Sequence, residues 1–251
     1  MPGPAFHRYA EWYDAFNAGK DYEAEVSYVV RMVRQHVRVP RRWLDIGCGT
    51  GHHLSHLHAR EIDVEGVDRS PSMIERARVA YPMLPFHVAS AQDIDLDPGR
   101  DVISMLFHVL NYQTSDDMII AALDRVAAHL ASGGVFVFDF WNTDAVRRDP
   151  PGPRTRTAAV DGRTLYRLSH PSENHERRTV TVNYEFRWDQ PNGELVHEET
   201  HVLRHFTSAE LSDFLRTCRL TPRQFVGWLG EAPLSDRDWY AFGCVRHEGT
   251  L

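Results

Sequence analysis

The sequence predicts an α/β fold: a Rossmann-like, doubly wound, mostly parallel seven-stranded sheet with a β-rich antiparallel insertion after the fifth strand. Three observations carry this expectation. Short apolar runs alternate with amphipathic stretches between residues 42 and 141, which is the rhythm of strand-helix-strand units. The first run, Arg42-Trp43-Leu44-Asp45-Ile46, breaks off in Gly47-Cys48-Gly49-Thr50-Gly51, as a buried parallel strand does when it enters a tight turn before a helix. Beyond Trp141 the apolar residues alternate with polar ones, and the turn signals Asp161-Gly162, Ser172-Glu173-Asn174 and Gln190-Pro191-Asn192-Gly193 divide them. That pattern belongs to antiparallel strands with one solvated face.

Element by element, a helix is predicted over residues 6–16 and a second over 21–36, where Val26, Val29, Val30 and Val33 recur at helical spacing behind Asp21 as N-cap. The glycine turn leads to a helix over 52–60. A strand at 64–68 follows, then a helix over 70–81 capped by Ser70, a strand at 86–90 and a strand at 101–107. Residues 116–130 form the next helix and 133–141 the fifth strand. The Pro/Arg-rich run at 147–156 reads as a linker, and strands are expected at 164–170, 178–188 and 194–206. A helix over 208–218 and two strands at 223–230 and 238–246 return the chain to the main sheet. The expected organisation is thus a core of residues 1–146, an insertion of 147–206 and a closing segment of 207–251.

Composition narrows the function. A chain of 251 residues with 42% hydrophobic and 25% charged residues is ordinary for a globular enzyme, and a net charge of -7 gives no overall attraction to a polyphosphate backbone. Nucleic acid is therefore not an expected partner. No basic segment followed by an apolar stretch opens the sequence, and no run of eighteen apolar residues occurs, so neither export nor membrane insertion is expected and the protein is placed in the cytoplasm. Cys48, Cys218 and Cys244 are far apart and odd in number, which suits buried thiols in a reducing compartment.

The chemistry begins at the glycine turn. Glycines admit a sharp turn and close backbone approach, and the helix behind them offers unpaired N–H groups, so a nucleotide-like ligand is expected there. A dinucleotide fingerprint needs Gly or Ala three residues after its second glycine; here that place is His52. Asp68 ends the second strand seventeen residues past Gly51, where a carboxylate can accept from both hydroxyls of a ribose. Met73 offers an adaptable apolar surface to a base.

The spacing Asp45-x-Gly47-x-Gly49-x-Gly51 resembles the first motif of the class I S-adenosylmethionine-dependent methyltransferases, in which the turn receives the amino acid part of the cofactor. Within that class the chain is similar to bacterial sugar methyltransferases, including the N,N-dimethyltransferases of nucleotide-linked amino sugars. Tyr13-Asp14, Lys20-Asp21-Tyr22, His197-Glu198-Glu199-Thr200-His201 and Phe206-Thr207 carry the similarity. The resemblance implies S-adenosylmethionine as cofactor, held by Tyr13, Tyr22, Asp45, Gly47, Cys48, Gly49, Gly51, Asp68, Arg69, Met73, Ser90, Ala91 and Phe107, with Tyr13 at the cofactor carboxylate. It also implies a small polar acceptor under the insertion, which is expected to cover the site, to mediate a homodimer, or both. Two positions depart from the pattern. The acidic residue that holds the adenine amino group in those relatives is Ser90 here, with Gln92 and Asp93 as alternative partners, and a histidine after the fourth strand is replaced by Asn111. The segments 107–114, 138–146 and 172–185 resemble relatives found among surface-polysaccharide and natural-product genes, so the acceptor atom is nitrogen or oxygen.

A general base is expected at the C-terminal edge of the fourth strand, where α/β folds place their ligands. His108 is the favoured candidate, with Asn111, Tyr112 and Trp141 shaping the acceptor pocket. Trp12, Tyr13 and Tyr22 offer an aromatic lid for a sulfonium. Glu199, His201 and His205 have metal-like spacing, but an exposed polar strand face explains it equally, and no metal is expected. The competing classes are a protein or RNA methyltransferase and a non-catalytic cofactor-binding protein.

Overall fold

The computed structural model describes residue 6 and residues 8–247 of the chain. Its central sheet is built from runs that are apolar on both faces, which a sheet needs when helices cover both sides. Strands β1 (Arg42–Ile46), β2 (Asp63–Asp68), β3 (Phe86–Val88), β4 (Arg100–Met105) and β5 (Leu130–Trp141) run parallel, joined by helices α3 (His52–His58), α4 (Pro71–Ala80) and α5 (Asp116–His129). β10 (Leu220–Gly227) and β11 (Tyr240–His247) close the sheet, antiparallel to each other and to β5, in the order β10-β11-β5-β4-β1-β2-β3. The predicted seven-stranded, mostly parallel sheet is the one found.

The period-two alternation of these strands sorts the core into two layers. Leu44, Ile46, Phe136, Phe138 and Phe140 pack against Ile119, Leu123 and Val126 of α5 and against Leu211 and Leu215 of α7 (Ser208–Thr217). On the other face Trp43, Val102, Val135 and Val137 meet Val26, Val29 and Val33 of α2 (Tyr22–Arg34), Leu54 and Leu57 of α3, and Ile74 and Ala77 of α4. Asp21 and Ser70 accept from the backbone N–H of Ala24 and Met73, so both expected caps are in place. All three cysteines are buried and unpaired. No helix among the described residues is long and apolar enough to cross a membrane.

A second sheet holds β6 (Arg154–Val160), β7 (Arg163–Asn174), β8 (Thr179–Trp188) and β9 (Leu195–Arg204), all antiparallel in that order. Helix α1 (Ala10–Phe16) lies against it, with Trp12 and Phe16 packed on Phe186. Trp12 therefore anchors the helix instead of covering a ligand.

Several boundaries differ from expectation. The first helix begins at Ala10; Phe6 lies in a turn, and His7 is outside the described residues. The linker expected at 147–156 shrinks to residues 149–153, because helix and strand claim its two ends. Asn142 caps a short helix α6 (Thr143–Arg148) whose Val146 is buried, Pro150 and Pro151 break it, and the backbone from Arg154 onward pairs with β7. Composition suggested a linker because the run is exposed and prolyl, whereas strand pairing by backbone groups tolerates arginines on the open face. The expected exposed face of β9 is corrected as well, since Glu199, His201 and His205 are all buried.

At the centre of the main sheet a polar chain links the neighbouring strands β1 and β4: Trp43 Nε1 donates to Ser104 Oγ (2.8 Å), which donates to Asp45 Oδ1 (2.6 Å), all buried. Burial lifts the Asp45 carboxyl to about 7, the Ser104 bond opposing it. Removing the hydroxyl strands a donor and an acceptor away from water. Ser104→Ala is expected to lower unfolding stability by about 2–4 kcal/mol, read as a shift in urea midpoint with unchanged slope.

Candidate active site

The carboxyl ends of β1, β2 and β4 and the turns behind them enclose a cavity of about 220 Å³. Gly47 and Gly49 line it with φ of 75° and 54°, backbone that only glycine adopts without strain, and a Cβ on Gly47 would stand 2.3 Å from Val109 Cγ2. Asp68 ties the two turns together: its Oδ2 accepts from Gly49 N–H (2.9 Å) and its Oδ1 from Ser70 N–H (2.8 Å). Burial raises its carboxyl above the usual range, against the pull of those two bonds. Each oxygen keeps a further lone pair, so the group remains fit to receive a pair of vicinal hydroxyls from the cavity it lines.

Of the residues expected at the cofactor, Tyr13, Gly47, Gly49, Asp68, Arg69, Met73, Ser90, Ala91 and Phe107 line this cavity. Four do not. Asp45 turns to Ser104, and Cys48 is buried against Gly66 beneath the turn. Gly51 (φ 87°) faces Phe86 and Tyr81 at the start of α3, and Tyr22 stacks on His52 at 4.7 Å. Nine lining residues lay outside the expected cofactor set, among them Gln92, weighed only as an alternative to Ser90, and Gln113 and Met118. Gln92 donates to Gln113 Oε1, so an amide pair and Ser90 stand where the resemblance led us to expect an acidic residue. Gln113 and Met118 follow the fourth strand, and no periodicity marks their direction.

Phe6, Tyr13, Phe107 and Tyr112 also line a second chamber of about 260 Å³. Its other walls come from both sheets: His108, Trp141 and Tyr240 from the core, and Arg154, Arg156, Arg167, Tyr184 and His201 from the second sheet. Asn111 lines neither chamber; it is buried and its Nδ2 donates to Arg204 O (2.6 Å), tying the turn after β4 to the end of β9. The arginines escaped notice because their separation in sequence hides that Arg156 and Arg167 are directly paired across β6 and β7. Like charges in that position repel. None of the three has an acidic partner within ion-pair distance among the described residues.

Two histidines on this chamber each meet a buried carboxylate. Phe107 and His108 both hold left-handed backbone (φ 64° and 69°), a strained arrangement for non-glycine residues. Asp139 of β5 secures it by accepting from His108 N–H (2.8 Å). Its Oδ2 lies 3.4 Å from His108 Nδ1, without the alignment of a hydrogen bond, and the imidazole stacks on Tyr240 at 4.9 Å. Burial pushes the imidazole down to about 3 and the Asp139 carboxyl up to about 7. In the same chamber, Tyr112 Oη lies 2.6 Å from His201 Nδ1, and His201 Nε2 lies 2.9 Å from Glu199 Oε1. Among the described residues no group of His, Cys, Asp and Glu is arranged to hold a metal ion.

Comparison with known proteins accords with this geometry. The family described as Methyltransferase domain matches residues 18–217. The chain is 33% identical over 222 residues to the dTDP-4-amino-2,3,4,6-tetradeoxy-D-glucose N,N-dimethyltransferase of Saccharopolyspora spinosa, covering 87% of this chain and 88% of the relative. It is 32% identical to the dTDP-3-amino-3,6-dideoxy-alpha-D-glucopyranose N,N-dimethyltransferase of Streptomyces fradiae, over 79% and 78% of the two chains. Among solved structures, the SAM-bound amino pentose methyltransferase from Micromonospora echinaspora superposes with a TM-score of 0.76 at 25% identity, covering 98% of this chain and 99% of that one. The glycine turn, the Asp68 carboxylate and these matches lead to one assignment: the chain belongs to the class I S-adenosylmethionine-dependent methyltransferases and is similar to their bacterial sugar-modifying branch.

Proposed function

We propose that this chain methylates the amino group of a sugar carried on a nucleoside diphosphate, as a cytoplasmic enzyme of natural-product biosynthesis. The observation that carries the reading is the second chamber. It shares a wall with the cofactor cavity and presents Arg154, Arg156 and Arg167 with no acidic partner among the described residues. Facing arginines on adjacent strands are relieved by an anion between them, and guanidinium forks suit phosphate oxygens. The relatives named above act on dTDP-linked amino sugars, whose diphosphate has that chemistry. In this reading residues 147–206 form the acceptor-binding layer between a core of 1–146 and a closing segment of 207–251.

S-adenosylmethionine, when bound, supplies a methyl group already activated on a sulfonium, so the protein's task is alignment and exclusion of water. Asp68 and the turn at Gly47 and Gly49 hold it, and Tyr13 and Phe107 close the wall toward the acceptor. His108 stays uncharged and accepts a hydrogen bond from the acceptor amine, orienting the lone pair. An imidazole with so low a proton affinity does not keep the proton. Asp139 is a positioning residue for it.

Two outcomes follow. With a dTDP-linked amino sugar and methyl-labelled cofactor, label is expected in the sugar, and Arg156→Ala and Arg167→Ala are each expected to raise KM by about 10–100-fold with kcat nearly unchanged; label in protein or RNA instead would reject the reading. Asp139 titrates higher in the fold than in the unfolded chain, so the folded protein binds the extra proton between about pH 4 and 7, and stability falls as pH rises through that window. Melting curves of Asp139→Asn are accordingly expected to drop less between about pH 5 and 7 than those of wild type, while turnover falls.

A further inference from the structure

We infer that Tyr112, His201 and Glu199 form a proton relay that receives the proton released by the acceptor, with Tyr112 touching the reacting group and His201 and Glu199 acting through it. The inference rests on the methyl-transfer reading for its chemistry, and on the following geometry for its atoms. Tyr112 lines both chambers, so it stands at the wall where cofactor and acceptor meet. Behind it, away from the cofactor cavity, come His201 Nδ1 at 2.6 Å and, on the ring's far nitrogen, Glu199 Oε1 at 2.9 Å. His201 and Glu199 are buried.

The hydrogen-bond arithmetic fixes the direction of the chain. Burial raises the Glu199 carboxyl, but bonds from His201, from the backbone N–H of Phe6 and from His197 more than offset this and hold it below its ordinary range. As a carboxylate it can only accept, so His201 Nε2 carries hydrogen. In the uncharged ring Nδ1 is then an acceptor, and Tyr112 Oη must donate to it. The tyrosine oxygen keeps lone pairs for a hydrogen of the acceptor. When the acceptor N–H bond breaks, an O–H bond forms at Tyr112 as its original O–H bond breaks, and an N–H bond forms at His201 Nδ1. The charge ends as an imidazolium against the Glu199 carboxylate, and the proton returns by the same tyrosine after product leaves.

The groups around the relay suit this role. Arg69 lies 5.0 Å over the Tyr112 ring, which favours a tyrosine that momentarily gains negative character. Phe6 meets the His201 ring edge-on at 4.8 Å, Tyr184 does so at 5.0 Å, and Tyr9 is 6.4 Å away, so water is excluded on several sides. His108, which also lines the chamber, cannot substitute, because its burial leaves it too weak a base.

The test has two arms. Nitrogen-15 histidine NMR of the protein without substrate is expected to show His201 as the Nε2–H tautomer with a hydrogen-bonded Nδ1, a signature that shifts in Tyr112→Phe. An Nδ1–H tautomer, or a ring doubly protonated at about pH 8, would overturn the relay whatever the enzyme's substrate. In turnover, Tyr112→Phe and His201→Gln are each expected to lower kcat about 100-fold with affinity for S-adenosylhomocysteine and melting temperature retained, and the double variant to fall little further, as groups acting as a unit do. Multiplying losses in the double variant, or Tyr112→Phe at wild-type kcat, would reduce the trio to a strut between β9 and the core. Failure of the wild-type enzyme to methylate any amino sugar would reject the functional reading and leave the NMR arm to decide the relay.

Discussion

The dependence of everything else on one constraint is plain at the sheet's carboxyl edge. Five parallel strands buried on both faces cannot expose ligand groups along their length, so all of their chemistry is forced to their ends. There the Asp68 carboxylate bonds to Gly49 and Ser70 and locks the turn after β1 to the turn after β2. Asp139 does the same for the turn after β4, holding Phe107 and His108 in backbone they would not adopt alone. Two buried carboxylates thus set the floor of the site before any ligand arrives.

The second sheet supplies what the core lacks. A parallel sheet edge offers backbone donors, apolar walls and a few acids, but little positive charge or basicity. β6 and β7 bring three arginines, and β9 brings His201 with its carboxylate partner. Four aromatic residues are shared by the two chambers, so in the proposed reading a methyl donor and an acceptor meet there while each keeps its own set of polar contacts. Asn111 contributes away from the chambers, bonding the end of β9 to the core, and so helps fix the distance between the two layers.

Much of this was legible in the sequence, for identifiable reasons. The glycine turn announces itself because positive φ at Gly47 and Gly49 has a chemical signature, and the strands announce themselves because burial on both faces demands continuous apolar runs. Asp68 is legible from its distance to that turn. The second chamber is not, because it depends on register: Arg156 meets Arg167 only through the pairing of β6 and β7, and a run rich in proline and arginine gives no strand signal. His201 and Glu199 show the same difficulty in reverse. Period two places them on one face of β9, but whether that face is solvated depends on Phe6, Tyr9 and Tyr112 arriving from elsewhere in the chain. Asp139 was hidden within an aromatic strand, where a single acid reads as an interruption until its hydrogen bond to His108 is seen.

The most direct test of the account is calorimetric titration of the protein with S-adenosylhomocysteine, beside an Asp68→Ala variant shown by its melting curve to remain folded. The geometry predicts a dissociation constant on the order of micromolar for wild type and a loss of at least about 1.4 kcal/mol, tenfold or more, in the variant. Absence of binding to wild type, or equal binding by the variant, would contradict the assignment of the cavity at Gly47, Gly49 and Asp68 to the cofactor.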